Sequence, residues 1–244
     1  MIRRALCVSD RSFVRKFSAA VELREYELKP SDASTFLQKA NAAGALRKEL
    51  MPLRLFATPD TGGQLNTAFH LYFHRSLQHR DDTARAMRDN ARWLEFADDS
   101  RRHCDKQSSR IYSEAPFVAA SHGGIATERI YSLGGGLYEV RRYQLVLGYD
   151  VVPKFIDHYC SGLDSKLEVS REAGSRFCSL LYTEVGSLNE VIEIWRHEGV
   201  AGMEQCRALS RHSQLWKKAV GSIAPLALHF NNTLLKPAPF SNWQ

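Results

Sequence analysis

The chain is predicted to be an α+β protein in which one βαββαβ unit is written twice, and three observations predict it. First, LNTAFHLYFH at residues 65–74 returns as LNEVIEIWRH at 188–197, with Asn, an aromatic and His at nearly the same spacing. Second, ELREYEL at 22–28 returns as EVRRYQL at 139–145, an offset of 117, whereas Trp93 and Trp216, and Ala-Pro-Phe at 115–117 and 238–240, recur at an offset of 123. Third, each copy alternates short period-two segments with longer segments of helical pattern. The change of offset places about six extra residues between the first and third strands of the second copy.

VELREYEL reads as a half-buried strand, and Ser31 or Asp32 can cap a helix whose apolar positions are Phe36, Leu37, Ala40 and Leu50. Pro52 stops that helix. PLRLFAT is a second strand, Gly62-Gly63 turns the chain, and NTAFHLYFH runs back as the third, with Phe69, Leu71 and Phe73 on one face. The charged stretch from about Gln78 to Asp105 is helical, and SSRIYSE closes the unit as a strand. In the second copy, 152–172 is the first helix, 176–183 and 189–197 form the hairpin, 202–220 is the second helix, and 226–233 is the last strand. Both copies are ferredoxin-like, and two such sheets can close a barrel of the dimeric α/β type. The predicted organisation is a transit segment at 1–17, repeat one at 18–118, a linker at 119–136 and repeat two at 137–244. The linker is small and Gly-rich; its GGG lacks a following Lys-Ser or Lys-Thr and precedes a strand, which argues against a phosphate loop.

One strand face stands out as polar and aromatic. It carries His70, Tyr72 and His74 with Ala68, and in the second copy Glu193, Trp195 and His197 with Val191. The first strands add Glu22, Arg24 and Tyr26, and Glu139, Arg141 and Tyr143. If the sheets stack face to face, Arg24, Tyr26, His70, Tyr72, His74, Arg141, Tyr143, Glu193, Trp195 and His197 meet in the barrel interior, where a small anionic or aromatic ligand could be held. The competing reading makes Glu22 with Arg24, and Glu139 with Arg141, ion-paired struts, because buried charges are costly unless paired. The strut reading is preferred.

Other residues argue mainly by exclusion. Composition is ordinary for a globular protein, at 44% hydrophobic and 25% charged residues, and no apolar run reaches the roughly 18 residues of a membrane span. Of the net charge of +6, residues 1–17 supply +4 through Arg3, Arg4, Arg11, Arg15 and Lys16 against Asp10, so no nucleic-acid surface is expected. That segment also spaces Ile2, Leu6, Phe13 and Phe17 near helical intervals beside its arginines, the pattern of a mitochondrial presequence ending near Phe17-Ser18. Five scattered cysteines without a CxxC pair predict neither a disulfide scaffold nor a zinc knuckle, and His103 and His158 lack further ligands at zinc spacing. Arg80, Arg85, Arg88 and Arg92 share a helix with Asp81, Asp82, Asp89 and Glu95, which reads as a solvated face. No catalytic motif, metal or cofactor is expected.

The Leu-Asn phrase with its apolar strand, His or Glu and aromatic, followed by Arg80, Arg85 and Trp93, resembles the signature of NIPSNAP domains, as does the opening strand. The resemblance covers most of residues 21–240. It departs at Tyr72, where the family usually has Trp, at Thr61, where Glu184 of the second copy keeps an acid, and across Arg47 to Thr58. The second copy is therefore the closer match and the better place for any ligand. The resemblance implies tandem barrel modules, a mitochondrial location with the matrix expected, and a non-catalytic role with other mitochondrial proteins in quality control or membrane traffic. Homo-oligomers fit the same picture. Its alternative implication is a small-molecule or cofactor-independent oxygenase-like site in the barrel interior.

Overall fold

The computed structural model describes residues 19–118, 124–126 and 136–244. The first half runs β1 (Ala20–Leu28), α1 (Ala33–Ala42), α2 (Gly44–Leu50), β2 (Leu53–Thr61), β3 (Thr67–His74), α3 (Leu77–Arg88), α4 (Ala91–Arg101) and β4 (Cys104–Glu114). The second runs β5 (Leu137–Leu145), α5 (Val151–Glu172), β6 (Ser175–Val185), β7 (Glu190–His197), α6 (Val200–His212), α7 (Gln214–Ile223) and β8 (Ala227–Pro237). The expected transit segment lies outside the described residues.

All eight strands form one closed antiparallel barrel in the order β1-β3-β2-β8-β5-β7-β6-β4. Each half is a ferredoxin-like sheet with its first strand between its third and fourth, as the repeated βαββαβ pattern predicts. Two seams join the halves within one chain: Ala57 opposite Pro237 begins the β2–β8 seam, and Tyr112 opposite Thr183 lies in the β4–β6 seam. Closure removes the exposed edges that an isolated half would present.

Three predicted helices are each broken in two. The stretch from Gln78 divides because Asn90 caps α4, its side chain accepting from the Trp93 N–H at 2.9 Å. Ser213 does the same for α7 at the Trp216 N–H, at 3.3 Å. Each cap satisfies a helix-start donor that would otherwise lack a partner. The first helix breaks at Ala43, whereas its counterpart α5 is continuous. At this break Gly44 meets Phe240: a Cβ there would sit 2.6 Å from the Phe240 side chain.

That contact belongs to a reciprocal exchange. Ala-Pro-Phe at the end of each repeat packs on the helix layer of the other half. Phe240 lies 4.8 Å from the Phe56 ring of the first half, and Phe117 lies 6.4 Å from the Tyr159 ring of the second. Beyond these motifs, Trp243 and Ile125 both enter the barrel interior. Ile125 is thus a packed residue within the stretch read as linker, its N–H donating to Glu114 and its carbonyl accepting from Arg54 at 2.8 Å.

The facing of the strands corrects the sequence expectation. The barrel is filled by Val21, Leu23, Leu71, Val140, Ile192 and Ile194 with their neighbours, together with Phe69 and the partly buried Phe73. The polar and aromatic face points outward beneath the helices. Alternation of period two separates the faces of a strand but does not say which one a helix will cover. Closing eight strands into a narrow barrel demands apolar filler, whereas the helices bring cations and aromatics that match the polar face.

Candidate functional site

The ten residues expected in the barrel interior, Arg24, Tyr26, His70, Tyr72, His74, Arg141, Tyr143, Glu193, Trp195 and His197, instead form two layers between sheet and helices, one in each half. The strand register assembles them: Arg24 is opposite His70 across β1 and β3, and Arg141 is opposite Glu193 across β5 and β7.

At one end of each layer a buried glutamate gathers the same set of partners. Glu22 is bound by Arg24 at 3.1 and 3.2 Å, by Arg80 of α3 at 2.9 Å and by Ser109 of β4 at 2.7 Å, with His74 3.4 Å away. Glu139 is bound by Arg141 at 3.1 Å, Arg207 of α6 at 2.6 Å and Asn232 of β8 at 2.8 Å, with His197 3.3 Å away. Burial alone would raise both carboxyls. Contacts from the histidine and the charge and hydrogen bonds of the arginines outweigh it and hold both far below the ordinary carboxylate range.

Sequence reasoning missed four of these residues. Ser109 and Asn232 are equivalent at the offset of 123, which was a usable signal. Arg80 and Arg207 are not equivalent; subtracting the offset puts Arg207 one helical turn beyond Arg80, yet both reach the same carboxylate. Arg80 therefore leaves the solvated face to which it was assigned, while Arg85 stays there beside Asp81 and Asp82. His103 is likewise paired, with Asp32 at 3.2 Å.

Deeper in the layer the halves differ. In the second, Glu193 is fully buried and accepts from Lys166 of α5 at 2.7 Å, Tyr159 at 2.8 Å and Tyr143 at 2.9 Å, and from the Trp195 indole. Burial opposes its charge, but Lys166 and Arg141 prevail and lower its pKa to about 2. Burial lowers Lys166 to about 8 against the pull of Glu193, and its ammonium lies 4.1 and 4.3 Å from the Trp195 and Trp216 ring centres. In the first half, His70 and Tyr72 stand where Glu193 and Trp195 do, and the buried cation is Arg47. Its guanidinium donates to the Tyr72 hydroxyl at 2.6 Å and lies 5.1 to 5.5 Å from the Phe56, Trp93 and Phe96 rings. Burial, then the charges of Arg47 and Arg24, keep His70 neutral, with its pKa well below the usual value. Tyr26 packs on its ring at 4.6 Å.

Ser175, His197 and Glu139 have the connectivity of a nucleophile, base and orienting acid, with Ser175 Oγ 2.7 Å from His197 Nδ1. Ser175 is only 2% exposed, and Glu139 is already committed to Arg141, Arg207 and Asn232, so the group serves packing. Among the described residues, no group of three or more His, Cys, Asp or Glu side chains is placed to hold a metal ion.

The second layer opens at one edge into a cleft of about 420 Å³ between α7 and the outer face of β5 and β8. Trp216, Val220, Ile223, Leu228 and Phe230 line it, with Arg141 and Tyr143 also contributing. Separately, the loop after β5 and the β6–β7 turn are tied together by Asn189, whose side chain donates to Val146 O at 2.8 Å and to Gly148 O at 3.3 Å. They expose Leu147, Tyr149 and Leu188, at 87, 107 and 61%.

These features define a single-chain barrel of two ferredoxin-like halves, each with an ion-paired layer under its helices. The NIPSNAP family model matches residues 21–119 and 138–242, and the chain belongs to the NIPSNAP family. It is 24% identical over 221 residues to Protein NipSnap homolog 3A of Homo sapiens, covering 90% of this chain and 84% of that protein. Protein NipSnap homolog 3B of Mus musculus matches with the same identity and coverage. In three dimensions the chain is similar to a "putative monooxygenase" from Fusobacterium nucleatum, with a TM-score of 0.63, 7% identity and coverage of 92% of this chain and 94% of that one. At such identity the likeness is one of fold.

Proposed function

We propose that this protein is a non-catalytic interaction module that serves other mitochondrial proteins. The observation that carries the reading is the apolar crown of Leu147, Tyr149 and Leu188, held out by two hydrogen-bonded loops, while Glu22, Glu139 and Glu193 are buried with their cations. Large exposed apolar side chains grouped on a rigid base are what a partner surface needs. The mitochondrial part rests on the basic, acid-poor segment at 1–17 and on family membership; the matrix, and roles in quality control or membrane traffic, are expectations of that resemblance. The test is affinity purification from mitochondria with the triple variant Leu147→Ser, Tyr149→Ser and Leu188→Ser. Partners captured by the wild type should be lost by a variant that melts at the same temperature; unchanged capture would count against the crown.

A second reading, small-molecule binding or oxygenase-like chemistry, is favoured by the cleft beside Arg141. It moves the expected ligand from the barrel interior, which is packed by apolar side chains and by the Arg142–Glu25 and Tyr112–Glu190 contacts, to the sheet–helix edge of the second half. The monooxygenase name of the Fusobacterium protein of similar fold is compatible with it. Native mass spectrometry of protein isolated from its own cells separates the readings. A small molecule retained under native conditions and released on denaturation favours the second, and an empty chain favours the first.

A further inference from the structure

The cleft lies in the second half, and its walls indicate what it takes. At the offset of 123, Val220, Ile223, Leu228 and Phe230 replace Ala97, Ser100, Asp105 and Gln107 of the first half. Strand register supports the equivalence: Tyr143 pairs with Phe230 as Tyr26 pairs with Gln107. Three polar positions and one small one are thus occupied by larger apolar side chains around one opening. Phe230 stacks on Tyr143 at 4.7 Å and 20°, so the wall is built, although Phe230 remains 51% exposed and Leu228 69%.

Charge at the cleft is unbalanced. The surrounding layer holds the cations Arg141, Lys166 and Arg207 against the carboxylates Glu139 and Glu193. Both carboxylates are buried, whereas Arg141 lines the opening with its side chain 17% exposed. Arg141 turns one edge of its guanidinium to Glu139, its Nη2 donating at 3.1 Å and its Nε 3.0 Å from the carboxylate, while its Nη1 stands 3.9 Å from Glu193 Oε1, beyond hydrogen-bond range. His229 adds a titratable ring to the lining. A cleft of this volume, mostly apolar with a few convergent polar groups, is within the roughly 300–1,000 Å³ of small-molecule sites.

We propose that the cleft binds a small amphipathic carboxylate, with its anionic head toward Arg141 and its apolar body along Trp216, Ile223, Leu228 and Phe230. This rests on the second reading above and names its ligand class.

The test is calorimetric titration of the full chain with naphthalene-2-carboxylate and its uncharged analogue naphthalene-2-carboxamide. The carboxylate should bind at least tenfold more tightly than the amide. Val220→Trp, which fills the cleft from a side chain 43% exposed, should abolish binding of both. Leu228→Glu, at a still more exposed position of the same wall, should weaken the carboxylate at least tenfold more than it weakens the amide. Equal affinity for the two probes, both lost in Val220→Trp, would overturn the anion assignment while leaving the cleft a ligand site. Absence of binding by either probe, or carboxylate binding that survives both variants, would overturn the site itself.

Discussion

At the scale of single residues, the polar layers balance burial against pairing. Removing charges from water costs several kcal/mol per ion, and a pair survives only when geometry and further hydrogen bonds compensate. Glu193 meets that condition through Lys166, Tyr143, Tyr159 and Trp195. Lys166→Met or Glu193→Gln alone should therefore destabilise the protein by about 3–5 kcal/mol, and the double variant should recover most of that loss. A urea-unfolding double-mutant cycle measures the coupling. The same pair sets a pH response. The Glu193 carboxyl is held at about 2 in the folded chain against 4.5 for an unperturbed glutamate, so its contribution is fully present above 4.5 and is lost as pH falls toward 2. Glu22 and Glu139 are shifted in the same direction. The melting temperature should fall steeply over that acid window, and less steeply in Glu193→Gln.

At the scale of elements, the Ala-Pro-Phe arms bind each half to the other. Phe240 fills the space that Gly44 leaves at the α1–α2 break, and Phe117 faces Tyr159 on α5. Phe240→Ala should cost about 1–3 kcal/mol, less than a fully buried phenylalanine because Phe240 is partly exposed. Hydrogen exchange locates the effect: amides of α1 and α2 should exchange faster, although the substitution lies in the second repeat. The sequence revealed the repeat, the order of elements along the chain and the hairpins because each is read over a short stretch, as in the Gly62-Gly63 turn between two alternating strands. It also displayed the arm motif, but only the fold shows that each arm crosses to the other half. Facing was illegible for a physical reason. Phe69 and Leu71 alternate with His70 and Tyr72, and alternation alone fits either side of a sheet. Arg80 and Arg207 were hidden because they reach equivalent carboxylates from different turns of their helices, and Arg47 and Lys166 because a lone cation in a helix usually faces water.

At the scale of the whole molecule, one chain closes a barrel from two ferredoxin-like sheets and fastens it across the halves from within. Arg142 of the second half donates to Glu25 of the first at 2.6 Å, and Tyr112 of the first donates to Glu190 of the second. Divergence has been unequal around that frame. Both halves retain the glutamate with its two arginines, histidine and small polar partner, whereas the apolar cleft and the exposed Leu147–Tyr149 loop lie in the second half. The central claim is that the shared layer holds the protein together and function lies outside it. Thermal unfolding of Glu22→Gln and Glu139→Gln beside the wild type tests it most directly. Each substitution leaves buried cations without their carboxylate, so each should lower stability by about 3–5 kcal/mol. For a chain of this size, that corresponds to a fall of roughly 6–20 °C in the melting temperature. Melting temperatures unchanged in both variants, with partner capture or ligand binding lost, would contradict the account and return these residues to a functional site.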